Sequence, residues 1–218
     1  MPPGKSCKNL LGGICIIWLD FEYTPSDRVK EDTVYGGENM SKKVVIISTS
    51  LRKNSNSEAL AKAFAEGARE AGYEVEQISL RDKTINFCKG CLACQKTMQC
   101  VIKDDANEIT AKIGQADVVA LATPVYYYGM CGQLKTLLDR ANPLFPSDYR
   151  FREVYLLATA AEDEADTVAG TRVGVQGWVD CFDKAELKET LFCGGVTDTG
   201  DIAGNAALEK ARQAGSNI

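Results

Sequence analysis

The chain has 218 residues, a formal net charge of −5 and 45% apolar residues, which suits one globular domain with a full-sized core. No run approaches the roughly eighteen apolar residues of a membrane-spanning helix, and an acidic balance without a basic stripe argues against a nucleic-acid partner. There is no histidine, so His-assisted nucleophiles and His-ligated metals are excluded, and reactivity has to come from a cofactor, a thiolate or carboxylates.

Residues 1–39 do not conform to the rest. Residues 10–19 (LLGGICIIWL) are an apolar run behind Lys5 and Lys8, but no small-residue cleavage site follows and Asp20 closes it, so a signal peptide is the weaker reading. Translation from Met40 is the simpler expectation, because residues 35–39 (YGGEN) can be encoded with a purine-rich ribosome-binding sequence just ahead of it. Residues 40–218 are then the folded domain, and residues 1–39 an extension it can dispense with.

Residues 43–60 (KVVIISTSLRKNSNSEAL) read as strand, loop and helix. The β-branched run at 44–47 suits a strand buried on both faces. Leu60, Phe64, Ala68 and Ala71 recur at helical spacing, Ser55 with Glu58 forms a capping box, and Gly72 supplies a stop. A loop that ends on a helix N-terminus offers unsatisfied amides and the positive end of the dipole to an anion. Ser50, Ser55, Asn56 and Ser57 add side-chain donors, and Arg52 adds a fork suited to phosphate oxygens. With neither G-x-x-x-x-G-K-[ST] nor G-x-G-x-x-G present, one phosphate monoester is expected over a triphosphate or a dinucleotide pyrophosphate.

Residues 74–80 read as an edge strand. After it, Cys88, Cys91, Cys94 and Cys100 form C-x2-C-x2-C-x5-C. The nine cysteines of the chain are too sparse for a disulfide scaffold, and this cluster points to a reducing compartment and a metal or redox role. Four-thiolate ligation of a [4Fe–4S] cluster, a structural zinc and free thiols are the readings it leaves open. Asp105 to Glu108 is a second capping box, opening a helix with Ile109, Ile113 and Ala116 on one face, and Asp104 and Asp105 are read as caps before catalytic carboxylates. Residues 118–123 (VVALAT) are a central parallel strand stopped at Pro124. The loop Pro124, Val125, Tyr126, Tyr127, Tyr128 and Gly129 is by itself equally an aromatic cover for the core or a cradle of backbone N–H groups and aromatic faces for a planar ring, with Gly129 allowing close approach. Cys131 beside it is read as a packing thiol. A helix over 132–141, a strand over 154–158, a helix anchored by Trp178, Val179 and Phe182, a strand at 191–193 and a helix over 205–214 complete the chain. Five strands alternating with helices predict an α/β fold, a three-layer doubly wound parallel sheet with ligands beyond the carboxyl ends of its strands.

Residues 50–57 (SLRKNSNS) together with PVYYYG resemble the flavin-binding loops of the flavodoxin-like NAD(P)H-dependent FMN reductases and iron–sulfur flavoproteins, a likeness extending over residues 42–218. That family usually carries Gly-Ser-Pro-Arg where this chain has Thr49, Ser50, Leu51 and Arg52. The resemblance implies the flavodoxin-like strand order 2-1-3-4-5 and non-covalent FMN. Its phosphate contacts would be Ser50, Arg52, Ser55, Asn56 and Ser57. The ring loop would be Pro124, Val125, Tyr126, Tyr127, Tyr128 and Gly129, and the third flavin loop Thr159, Ala160 and Ala161. It further implies a [4Fe–4S] cluster on Cys88, Cys91, Cys94 and Cys100, NAD(P)H as co-substrate and a homo-oligomer. The expected function is a cytoplasmic oxidoreductase passing electrons from NAD(P)H or another donor through FMN to a small-molecule or protein acceptor. An iron–sulfur electron carrier without NAD(P)H activity, and a non-enzymatic flavin- or zinc-binding module, are the alternatives.

Overall fold

β1 (Lys43–Ser48) leads the chain of strands, and every residue from Val44 to its end is buried, as a strand covered on both faces requires. The computed structural model describes residues 42–218, so the Met40 start and the apolar run at 10–19 lie outside the described residues. After β1 come α1 (Asn56–Glu70), β2 (Glu74–Ser79), a short α2 (Cys94–Thr97), α3 (Asp105–Gln115), β3 (Val118–Tyr126), β4 (Gly129–Met130), α4 (Gly132–Arg140), a 3-10 turn (Asn142–Leu144), β5 (Glu153–Thr159), α5 (Ala169–Val179), β6 (Glu186–Cys193) and α6 (Ala206–Ser216).

The five long strands run parallel in the order β2-β1-β3-β5-β6, with β4 a two-residue antiparallel return on β3. Leaving β4 aside, this is the expected 2-1-3-4-5 order, with β2 at one edge. Side chains alternate between the faces. Val45, Ile47, Val119, Leu121, Val154 and Leu156 pack with α3, α4 and α5 on one side. Val44, Ile46, Ala120, Tyr155 and Leu157 pack with α1 and α6 on the other, giving the three layers. Among the described residues no helix is long and apolar enough to cross a membrane.

Two local expectations are corrected. β3 does not stop at Pro124 but continues to Tyr126, with Pro124 opposite Thr159 of β5. β1 has already ended at Ser48, opposite Ala122, so β3 has a single long neighbour at Pro124 and tolerates the missing N–H as an edge does. The N-cap of α3 is Asp104, whose carboxylate accepts from the Ala106 N–H at 3.2 Å, while Asp105 turns back to accept from the Thr84 N–H at 2.7 Å.

Candidate functional site

The loop between β1 and α1 is built from inside the fold. Thr49 extends the β1–β3 ladder by donating through both N–H and Oγ1 to the Ala122 carbonyl at 2.9 Å. Ser50, Ser55, Asn56 and Ser57 are all buried. Ser55 caps α1, its Oγ accepting from the Glu58 N–H at 3.2 Å, and lies 3.4 Å from Ser57 Oγ. Glu58 pairs instead with Lys62 at 3.0 Å and Arg81 at 3.5 Å. Burial alone would raise its pKa, but these two cations hold the carboxyl below its ordinary value.

A second segment packed against this loop, residues 197–202 between β6 and α6, was not singled out in the sequence. The Arg52 guanidinium donates to the Thr197 carbonyl at 2.9 Å. Asn56 donates to the Asp198 carbonyl at 2.9 Å and accepts from the Gly200 N–H at 3.2 Å. Asn56 therefore braces the neighbouring loop with its side chain. The Thr-Asp-Thr-Gly-Asp run was the available signal, since Asp and Gly mark a tight turn; Asp201 accepts from the N–H groups of Thr197 and Asp198 there.

The next loop to open at the same edge is a hairpin. Val125 pairs with Met130 and Tyr126 with Gly129, leaving Tyr127 and Tyr128 as the two turn residues. Both have positive φ, 50° and 60°, the geometry of a primed two-residue turn that ordinarily selects Asn or Gly. Gly129 follows the turn and is not among the positive-φ positions. The strain is held from below, because a Cβ on Gly170 in α5 would lie 2.2 Å from the Tyr128 carbonyl oxygen. The three tyrosine side chains are exposed.

Tyr128 reaches the third loop by donating to the Glu162 carboxylate at 2.7 Å. Glu162 raises the phenol's pKa above its ordinary value, so Tyr128 remains the donor. Thr159 and Ala160 are buried and Ala161 is exposed. Ala160 continues the β5–β6 ladder, its N–H donating to Cys193 and its carbonyl accepting from the Val196 N–H. Between hairpin and loop lies a cavity of about 180 Å³ lined by Val125, Tyr127, Tyr128, Ala160, Ala161, Glu162 and Thr167. Beneath the hairpin, Cys131 is buried with Thr49 Oγ1 at 3.2 Å and Thr123 Oγ1 at 3.4 Å, a small polar contact between the ends of β1 and β3. A larger cavity, about 590 Å³, is lined by Leu51, Ile85, Phe87 and the start of α4 among others.

The cysteine segment follows Phe87. Cys88 and Cys91 are exposed, Cys94 is buried at the start of α2, and Cys100 is half-buried. N–H donors face two of the sulfurs: Gly90 to Cys88 at 3.4 Å and the Asn142 side chain to Cys94 at 3.1 Å. Both ends of the segment are tied to Arg140, the last residue of α4, which is fully buried. It grips Asp104 at 2.7 and 2.8 Å and donates to the carbonyls of Asn86 at 2.7 Å and Ile102 at 3.1 Å. Burial alone would raise Asp104, but the Arg140 fork and the Asn86 donors hold its carboxyl far below the usual range. Asp104 first, and Cys100 after it, keep the guanidinium firmly charged. This buried pair was missed because an Arg inside an amphipathic helix and an Asp ahead of another look like surface and cap. Among the described residues, no group of three or more Cys, Asp or Glu side chains is placed to hold a metal ion.

A family model described as NADPH-dependent FMN reductase matches residues 42–172. An iron–sulfur flavoprotein of Methanosarcina thermophila is 39% identical over 163 residues, covering 71% of this chain and 82% of that protein. One from Methanocaldococcus jannaschii is 43% identical over 102 residues, covering 47% of this chain and 53% of that protein, so the match spans about half of that relative's length. Among solved structures, an NAD(P)H:quinone oxidoreductase from Methanothermobacter marburgensis superposes with a TM-score of 0.62 at 22% identity. That superposition covers 81% of this chain and 98% of the other, which shows the shared fold.

Proposed function

The chain belongs to the NADPH-dependent FMN reductase family, and we propose that it is an FMN-dependent oxidoreductase that takes electrons from NAD(P)H and delivers them to a small-molecule or protein acceptor. The observation that carries this reading is the meeting, at the carboxyl ends of adjacent strands β1, β3 and β5, of a serine-rich helix N-terminus, an aromatic hairpin and a small-residue loop. FMN when bound supplies hydride acceptance and one- or two-electron transfer.

The chain's own residues position that cofactor. Ser50, Ser55 and Ser57 with the α1 N-terminus receive the phosphate, and Arg52 lies beside them, already held toward residue 197. Asn56 keeps the 197–202 segment in place next to the phosphate. Pro124 to Gly129 and Thr159 to Ala161 would receive the ring between them, and the Tyr128–Glu162 hydrogen bond ties the two loops together. A Cβ on Gly129 would meet nothing closer than 3.7 Å, so the protein alone does not require glycine there, and space for a ligand supports the assignment.

The cysteine segment supports a second component. Cys88, Cys91, Cys94 and Cys100 would hold a [4Fe–4S] cluster, whose one-electron chemistry would couple the flavin to one-electron acceptors. The four thiols are not gathered around one point among the described residues, so ligation would require the segment to close around the cluster; the N–H donors that face Cys88 and Cys94 would then stabilise charge on those two sulfurs. The experiment is anaerobic stopped-flow mixing of FMN-loaded protein with NADH and NADPH. Bleaching of the flavin by either supports the reductase; failure of both leaves an electron carrier or a binding module, and protein that does not bind FMN removes the reading altogether. Sedimentation is the check on the homo-oligomer.

A further inference from the structure

Four inward positions run at four-residue steps through α5 and the turn before it: Thr167, Thr171, Val175 and Val179. The valines meet the core with carbon alone. The threonines have nearly the same shape, but each carries a hydroxyl that is out of solvent and without a hydrogen-bond partner. Thr167 is 3% exposed and Thr171 is fully buried. An unpaired buried hydroxyl is a cost that valine at the same position would avoid. The two threonines differ in one respect: Thr167 lines the cavity between the tyrosine hairpin and the β5 loop, and Thr171 does not.

That cavity has apolar and aromatic walls in Val125, Tyr127, Tyr128, Ala160 and Ala161. Its polar members are Thr167 and Glu162, and the helix beginning next to Thr167 has no side-chain cap at Val168. At about 180 Å³ it is smaller than the roughly 300 Å³ at the low end of small-molecule sites, so it takes the edge of a planar ring and not a whole cofactor. Glu162, Glu164 and Asp166 all act on the Tyr128 phenol, and this acidic border disfavours an anionic ligand.

We propose that Thr167 is a ring-binding residue: its hydroxyl, unpaired and out of reach of solvent in the free protein, swings by a side-chain rotamer change to pair with the carbonyl-bearing, uncharged edge of a planar heteroaromatic ring seated between Tyr127–Tyr128 and Ala160–Ala161, the pyrimidine edge of isoalloxazine. This rests on the FMN reading above. Thr171, the same residue type one turn further along the same line, has no such ligand.

The test uses the full chain and the matched variants Thr167→Val and Thr171→Val, with Thr167→Ser retaining the hydroxyl. Melting of the flavin-free proteins is measured first, then the affinity for FMN and for lumiflavin, which is the ring without the ribityl phosphate. Both valine variants are expected to melt at or above the wild-type temperature. Only T167V should bind lumiflavin and FMN more weakly, by about fivefold, and shift the visible band of the bound flavin, with T167S close to wild type. Lumiflavin binding by T167V equal to wild type, or an equal loss in T171V, overturns the proposal while FMN binding stands. A raised KM for dihydronicotinamide with unchanged flavin affinity also overturns it, by moving the hydroxyl to the co-substrate. Wild-type protein that binds neither flavin fails the FMN reading itself, and is distinguished by that from failure of the variant alone.

Discussion

Replacing Arg140 with Met keeps the aliphatic bulk at a fully buried position and removes the donors that hold the cysteine segment. Asp104 loses two bonds of 2.7 and 2.8 Å, and the Asn86 and Ile102 carbonyls lose their side-chain donor. Removing one member of a buried ion pair costs about 3–5 kcal/mol. Asp104 keeps the Asn86 N–H and amide and the Ala106 N–H, so the loss should fall at the lower end, about 3 kcal/mol. Against a total stability of roughly 5–15 kcal/mol the variant still folds at 25 °C. Urea unfolding at pH 7 measures the change, and D104N in the R140M background should recover part of it, because the uncompensated charge is then gone. In metal-free protein the buried Cys94 should also react faster with a thiol reagent, about tenfold for each 1.4 kcal/mol taken from local opening. The pH dependence has a definite sign. Asp104's carboxyl is held below its unfolded value, so its stabilisation is complete above about pH 4 and is lost as pH falls from there toward the lower folded-state value. R140M should flatten that acid limb. A stability loss under about 1 kcal/mol, or a loss with unchanged Cys94 reactivity, would refute the assignment of Arg140 as the staple of this segment.

Gly170→Ala sets helix propensity against the hairpin. Alanine gains about 1 kcal/mol in a helix, but its Cβ would fall 2.2 Å from the Tyr128 oxygen, so we expect net destabilisation and about tenfold weaker flavin binding; a raised melting temperature with unchanged affinity would contradict the close seating of the hairpin. Ser55→Ala removes the α1 cap and should lower stability by about 1 kcal/mol. It should also narrow the preference for FMN over riboflavin, which paired titrations read directly. Cys94→Ser should abolish about four irons per chain after anaerobic purification while FMN remains bound; stoichiometric zinc, or no metal in wild-type protein kept from oxygen, would exclude the cluster.

The strands and the edge where ligands are expected were legible in the sequence, and their order followed from the family resemblance. Runs such as residues 44–47 and 118–122 are apolar without alternation, and only a strand covered on both faces buries such a run completely. The α1 cap was equally local, since Ser55 and the Glu58 N–H are three residues apart and meet wherever the helix starts. The extent of β3 was not legible, because the tolerance of Pro124 depends on where β1 ends beside it. Nor was the turn at Tyr127 and Tyr128, whose left-handed backbone runs against residue type and is held by contact with Gly170. Arg140 and Asp104 meet across 36 residues, and Asn56 meets the Asp198 carbonyl across 142. Periodicity and capping are set by covalent geometry over a few residues, so the sequence displays them. Whether a buried hydroxyl such as that of Thr167 has a partner depends on which distant segments the fold brings around it, and the order of residues along the chain carries no measure of that distance.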